Sequence, residues 1–304
     1  MGKSLIITED QAERRLDRFL RAMWPQVPLG AIMKAIRKGE VRIDGSKAAV
    51  DTRLEEGQVL QVPWDDDVRA GAIACLHVGR PLCSLETLYK DDYVWIVNKP
   101  AGLLTQPDIK GGDSLITRAL AELGWSRRDF VPATVQRLDR NTSGIVMIAM
   151  SGPSLRHLSE LIRDRAIKKI YRAVVEGDTD SGGEIDLPLI KDASSNTVKI
   201  ATNGGEPALT RYRKLGKDAA VSAVEVELVT GRSHQARVHL ASIGHPIAGD
   251  RKYGSKMRFK RPLLHAYSLV FPNDALLPES LRGKMLIARI PDDMAGYFAR
   301  CRDS

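Results

Sequence analysis

The chain has 304 residues, 43% of them hydrophobic and 28% charged, a composition of ordinary globular proteins that makes two domains the default. Lys and Arg outnumber Asp and Glu by 46 to 38, a net charge of +8 that suits a polyanionic partner and equally a merely basic enzyme. Cys75, Cys83 and Cys301 are an odd, scattered set without a CxxC pair, which argues against a disulfide scaffold and a structural zinc site.

The N-terminal segment Met1–Thr8 has no signal-peptide core, and no apolar run approaches the ~20 residues of a membrane span, so a cytoplasmic protein with no membrane partner is expected. Two amphipathic helices come first. Leu16, Phe19, Leu20 and Met23 recur at helical spacing, as do Leu29, Ile32, Met33 and Ile36. Pro25 and Pro28 bound the break between them, and Gly39 suits a left-handed C-terminal cap. Short strands follow at Val41–Ile43 and Val59–Val62, with Asp44-Gly45 as a turn pair.

The polar faces of these helices carry Arg14, Arg15, Arg18, Arg21, Lys34, Arg37 and Lys38. From Arg14 to Arg42 eight basic residues stand against Asp17 and Glu40, a local excess of +6. One basic helix face is usually just solvated. Two in succession favour a phosphate-binding surface. The segment resembles the S4-like RNA-binding domain, an αL motif, through Arg15-Leu-Asp-Arg-Phe-Leu20, Ile36-Arg-Lys-Gly-Glu-Val-Arg-Ile-Asp-Gly45 and Leu54-Glu-Glu-Gly-Gln-Val59. That resemblance implies RNA binding by residues such as Arg15, Arg18, Arg37 and Lys38.

The expected organisation is an RNA-binding domain at 1–64, a linker at 65–85 where periodicity is lost, and a catalytic domain at 86–304. The last begins with strand-like Tyr93–Val97 and includes helices near Ser114–Leu123 and Ser154–Arg165. Strands without regular βαβ alternation point to an α+β fold.

Three segments carry the chemistry. In Thr134-Val-Gln-Arg-Leu-Asp-Arg-Asn-Thr-Ser-Gly144, followed by apolar Ile145–Ala149, Asp139 falls on a strand-to-strand turn between Arg137 and Arg140. Flanking cations favour the carboxylate, which suits a base or a nucleophile, but from spacing alone a surface Arg–Asp–Arg cluster capping a turn is the commoner explanation. In Lys168-Lys-Ile-Tyr-Arg-Ala-Val-Val-Glu-Gly177, Lys169, Tyr171, Ala173 and Val175 share one strand face. A tyrosine beside a lysine can stack a base while the cation holds its phosphate, but taken alone this segment reads first as an ordinary core tyrosine.

The third segment is Thr230-Gly-Arg-Ser-His-Gln-Ala-Arg-Val-His-Leu240, leading to Gly244-His-Pro-Ile-Ala-Gly-Asp-Arg-Lys-Tyr-Gly254. Ser233 reads as an N-cap and Gly244 as a helix stop. His234, Gln235 and Arg237 would lie in the first turn of a helix, where anions are favoured, though plain capping explains the pattern too. His234 and His239 lack the i, i+4 spacing of helix-borne metal ligands, and no metal is expected.

Together the three segments resemble the RluA family of pseudouridine synthases, across roughly Leu88 to Ile290. Asn98-Lys-Pro-Ala-Gly102, Pro188-Leu-Ile-Lys191 and Arg261-Pro-Leu-Leu-His-Ala266 add to the match, and with the N-terminal unit the RluC-like subgroup fits best. The resemblance implies a pseudouridine-synthase domain on a mixed, largely antiparallel sheet, acting on large-subunit ribosomal RNA, free or within assembling ribosomal particles. It makes Asp139 the nucleophile, Tyr171 the base-stacking tyrosine implicated in proton removal, and Arg237 the partner of the aspartate. Arg137 would fill the space left by the extruded nucleotide, and Arg140, Lys169, Arg232 and His234 would contact RNA. No cofactor is required, and no dinucleotide fingerprint is present. Transfer RNA as substrate, and a non-catalytic RNA-binding or ribosome-assembly factor, are the alternatives. Gln136 and Gln106 stand where histidine is common in the family, and Ala236 replaces a bulkier aliphatic residue, which would loosen packing beneath Tyr171.

Overall fold

The computed structural model describes residues 3–64, 84–108, 111–125, 130–192 and 197–299. Almost all of the expected linker at 65–85 lies outside the described residues, as do Cys75, Cys83 and Cys301. The chain divides into two compact units: residues 1–84, 107–133 and 149–156 form one, and residues 85–106, 134–148 and 157–304 the other.

In the first unit, α1 (Leu16–Met23) and α2 (Leu29–Lys38) follow β1 (Lys3–Ile6), and β2 (Arg42–Ile43), β3 (Ser46–Lys47) and β4 (Val59–Val62) complete a four-stranded sheet in the order β1-β4-β2-β3. The periodic residues of α1 are all buried, in one core with Ile32, Ala35, Ile36, Val41, Leu54 and Leu60. The second helix departs from its expected stripe. Leu29 is 44% exposed, and Ala35 is buried instead with Ile32 and Ile36, because tertiary packing rather than periodicity alone selects the covered face. Gly39 caps α2 at φ 74, its N–H reaching the carbonyls of Ala35 and Ile36. Asp44 and Gly45 both have positive φ, as a two-residue hairpin between right-twisting strands requires. In the same unit α3 (Leu115–Leu123) starts at Ser114, whose side chain accepts from Thr117 N–H.

The second unit is built on a ten-stranded sheet. Its main path joins β5 (Glu86–Lys90), β6 (Val94–Lys99), β8 (Ser143–Ala149), β9 (Lys168–Glu176), β10 (Gly182–Asp186), β13 (Leu209–Asp218), β14 (Val221–Leu228) and β15 (Leu264–Val270) in the order β10-β13-β14-β9-β15-β8-β6-β5. β7 (Ala133–Thr134) pairs with β8, and β16 (Met285–Ile287) with β15. A separate hairpin joins β11 (Leu189–Asp192) to β12 (Thr197–Ile200). Most pairs are antiparallel, whereas β15 and β8 run parallel, which makes the sheet mixed and fits the α+β expectation. The expected helix after β8 is α4 (Gly152–Arg163), and α5 (Gln235–Ser242) and α6 (Asp292–Ala299) follow.

One face of β9 sends Tyr171, Ala173 and Val175 into a core with Val224, Val226, Ala236, Leu240, Ile247 and Leu264. Its other face gives Val174 to a core with Leu263, Met294 and Phe298. The parallel contact depends on Gly144, at φ +116. A Cβ there would lie 2.2 Å from the Ala266 carbonyl oxygen, so no side chain fits where β8 leaves the turn.

Candidate active site

Asp139 lies in the turn between β7 and β8, as its spacing predicts, with its side chain 31% exposed. The turn is tied down along its length. Thr142 N–H donates to Asp139 O at 3.1 Å, and Thr105 Oγ1 donates to Leu138 O at 2.8 Å while accepting Leu138 N–H. Two buried cations read the carbonyls just past the aspartate. Lys99 Nζ donates to Arg140 O at 3.2 Å, and also to Pro100 O and Leu103 O. Arg261 Nη1 donates to Asn141 O at 3.4 Å and to Pro262 O and Leu264 O, while its Nε and Nη2 hold Asp293. Burial lowers the Lys99 pKa to about 7; Asp139 opposes that shift and Arg261 adds to it. A lysine and an arginine so placed fix the backbone of the turn, because a buried N–H that has left water must find an acceptor and the turn carbonyls supply one to each.

The neighbours in sequence are not the partners in space. Among the described residues neither Arg137 nor Arg140 pairs with Asp139; both are exposed. The partner is Arg237 on the first turn of α5, whose Nη1 donates to Asp139 Oδ2 at 2.8 Å. The same guanidinium grips Asp250 with two bonds, Nε to Oδ2 at 2.6 Å and Nη2 to Oδ1 at 2.9 Å. Asp250 is 1% exposed, so one arginine joins a buried carboxylate to a half-exposed one. Burial works to lower the Arg237 pKa, but the bonds and charge of Asp250, then those of Asp139, outweigh it and the net shift is upward. The fork geometry aims Nη1 at the turn.

The helix start differs from the capping expected of Ser233. The cap position belongs to His234, in the left-handed region at φ 54 and without a side-chain cap bond. Gln235 does the fastening. Its Oε1 accepts from Thr230 Oγ1 and Arg232 N–H, and its Nε2 donates to Leu209 O and Thr210 Oγ1 on β13. A tertiary bond to the neighbouring strand thus displaces the local cap. Gly244, at φ +84, ends the helix as expected. The chain then returns through Gly249, where a Cβ would lie 2.3 Å from Arg261 O, and brings Asp250 under Arg237.

His234 turns toward the carboxylate, with Nε2 3.7 Å from Asp139 Oδ1 and Nδ1 2.6 Å from the Tyr253 hydroxyl. The Tyr253 ring also packs against the Arg237 guanidinium, 4.9 Å from the ring centroid. Tyr171 lies on β9 between Val226 and Ala266 of the adjacent strands. Burial, then the charge of Asp139, raises its pKa above the ordinary phenol value. Ala236 is 3% exposed in the core that Tyr171 packs against.

Not every expected RNA contact faces solvent. Lys169 is buried at 8% exposure, with Nζ 3.5 Å from Thr230 O, and burial followed by Arg165 lowers its pKa. The Lys169 side chain is covered in the free chain, with its ammonium turned to the Thr230 carbonyl. Arg232 bonds Pro207 O and pairs with Glu206 at 3.3 Å. In the first unit Arg18, Arg37 and Lys38 are exposed, Lys38 lying 3.7 Å from Glu40, while Arg15 is engaged by Asp17 at 3.0 Å. Gln136 accepts Met147 N–H and Gln106 donates to Thr134 Oγ1, so both of these glutamines bracket strands beside the turn. Lys99, Asp250, Tyr253 and Arg261 are the site residues that spacing did not single out, although each lies in a motif quoted above. The readable signal was a charged residue next to an apolar strand or a tight glycine turn.

The chain is similar to known proteins over most of its length. Residues 93–242 match the family profile described as RNA pseudouridylate synthase. The "Ribosomal large subunit pseudouridine synthase C" of Vibrio cholerae is 35% identical over 285 residues, 88% of each chain. The protein of that name from Escherichia coli K12 is 32% identical, covering 98% of this chain and 95% of the relative, and that from Haemophilus influenzae is 34% identical over 99% and 96%. Among solved structures, Human RNA Pseudouridylate Synthase Domain Containing 4 superposes with a TM-score of 0.58 at 21% identity, covering 77% of this chain and 97% of that one, a likeness of fold.

Proposed function

The chain belongs to the RluA family of RNA pseudouridine synthases, and from that membership we propose that it isomerises uridines of large-subunit ribosomal RNA with Asp139 as the nucleophile. The observation that carries the reading is the bridge Asp250–Arg237–Asp139, which sets one carboxylate at the tip of an immobilised turn.

The chemistry needs few parts. The N1–C1′ bond of uridine breaks, the uracil turns, C5 joins C1′, the C5 proton leaves and N1 takes up a proton; no electrons are gained or lost. A target base inside a helix must first be extruded, at a cost of about a few kcal/mol of unstacking. In the proposal, Arg137 fills the vacated space and Arg140 contacts the RNA backbone, both being exposed beside the aspartate. Tyr171 stacks on the extruded uracil and assists proton removal. Asp139 then acts with Oδ2 held by Arg237, so orientation is supplied before the substrate arrives. Residues 1–64 are taken as the S4-like RNA-binding domain and 86–304 as the catalytic domain. Support for the first is the exposed set Arg18, Arg37 and Lys38 on consecutive helices; support for the ribosomal substrate is the name of the relatives that match almost end to end.

Asp139→Asn tests the assignment. The variant should bind substrate RNA like the wild type and form no pseudouridine; normal turnover would remove Asp139 from the role. Mapping pseudouridines in ribosomal and transfer RNA, with and without the gene, separates the substrate classes.

A further inference from the structure

The two oxygens of Asp139 meet different neighbours. Oδ2 takes the Arg237 bond at 2.8 Å, whereas Oδ1 faces His234 Nε2 at 3.7 Å, beyond hydrogen-bond length but close enough for an N–H to steer it. What His234 presents depends on which ring nitrogen carries the proton. Nδ1 lies 2.6 Å from the Tyr253 hydroxyl, and that hydroxyl oxygen already accepts Val198 N–H at 3.1 Å. Its single proton has His234 Nδ1 as its bonded acceptor among the described residues. With the opposite arrangement, Nδ1–H to oxygen, the phenol proton would be left without a bond.

The surrounding charges are consistent with a neutral ring. Burial lowers the His234 pKa; Asp139 and Asp250 oppose that shift, while Arg237 and Lys252 reinforce it. Burial also raises the Tyr253 pKa, which keeps the phenol protonated. The ring is not spent on capping α5, since His234 makes no side-chain cap bond. It packs edge-on to Tyr253, with centroids 5.6 Å apart and planes at 76°.

We propose that Tyr253 locks His234 as its Nε2–H tautomer, making the pair a positioning device that steers Asp139 Oδ1 while Arg237 holds Oδ2. The opposite tautomer would turn an imidazole lone pair on the carboxylate, a repulsive contact. This inference rests on the reading of Asp139 as nucleophile, and both residues are positioning residues rather than reacting groups.

The test measures single-turnover rate and RNA affinity separately, on the full chain, from about pH 4.5 to 8.5, a range carried below ordinary histidine titration because burial lowers the His234 pKa. Tyr253→Phe keeps the ring beside Arg237 and removes only the hydroxyl. At the alkaline end its rate should fall about three- to tenfold, the scale of one lost hydrogen bond, with affinity unchanged. As pH falls the deficit should close, because a doubly protonated ring carries Nε2–H whatever Tyr253 does. His234→Asn suits the left-handed backbone but its amide stops short of Asp139, so its deficit should persist at every pH. His234→Gln places an amide N–H near the Nε2 position and should recover most of the rate.

Wild-type rates in Tyr253→Phe and His234→Asn, a pH-independent deficit in Tyr253→Phe, a change confined to affinity, or failure of Gln to outperform Asn would each overturn the proposal. Asp139→Asn in the same assay separates the two levels. An active Asp139→Asn removes the nucleophile reading; an inactive one beside a fully active His234→Asn leaves that reading standing and removes this inference alone.

Discussion

Replacing Arg237 by methionine should cost stability as well as activity, and the structure says which partner is responsible. Asp139 is 31% exposed, so losing its share of the arginine is worth about 0–1 kcal/mol, as for other solvent-accessible pairs. Asp250 is 1% exposed and both its oxygens are bonded by this one guanidinium. Stranding such a carboxylate costs about 3–5 kcal/mol, a large part of the roughly 5–15 kcal/mol that holds a typical protein together. At about 2–4 °C per kcal/mol for a domain of this size, the melting temperature should drop by about 6–20 °C. Adding Asp250→Asn removes the stranded charge and should restore more than half of the loss, while pseudouridine formation stays absent because Asp139 still lacks its partner. Thermal melts followed by circular dichroism, paired with a pseudouridine assay on each variant, measure both. A single variant melting within about 2 °C of wild type, or a double variant no more stable than the single, would refute the stranded-charge argument.

Three further outcomes are expected. Gly144→Ala drives a Cβ to 2.2 Å from Ala266 O at a φ of +116, so overpacking and backbone strain together should destabilise by about 2–6 kcal/mol; an unchanged melt would contradict it. Lys99 has a folded-state pKa of about 7, below its unfolded value, so the folded protein gives up this proton first. Stability relative to Lys99→Met should therefore rise from about pH 7 to about pH 10, with a slope approaching 1.4 kcal/mol per unit, and a flat difference in urea midpoints would exclude it. Arg37→Gln with Lys38→Gln should reduce the slope of log affinity for RNA against log salt by about two, and an unchanged slope would move the phosphate contacts elsewhere.

Much of the local structure was legible in the sequence because its causes are local. The buried stripe of α1 follows from 3.6-residue periodicity, the Gly39 and Gly244 stops from left-handed backbone, and the Asp44-Gly45 hairpin from positive φ at both positions. The turn carrying Asp139 needed only an apolar lead, polar residues and a glycine before an apolar strand. The family resemblance rested on these same contiguous motifs, and the comparisons bear it out.

Tertiary structure decided who meets whom. Arg137 and Arg140 flank Asp139 in sequence, yet its ion pair is with Arg237, 98 residues away, the partner that the family resemblance implied and that spacing alone did not identify. The cap position expected of Ser233 fell to His234 while Gln235 ties the helix start to β13, and Lys169, expected at an RNA phosphate, is covered in the fold. Lys99 and Arg261 became clamps on the aspartate turn only when folding buried them beside its carbonyls. Sequence determined Asp139 and the turn beneath it, since backbone conformation answers to neighbouring residues. Its charge partners were fixed by the sheet, since an ion pair depends on separation in space and the chain sets that only by folding.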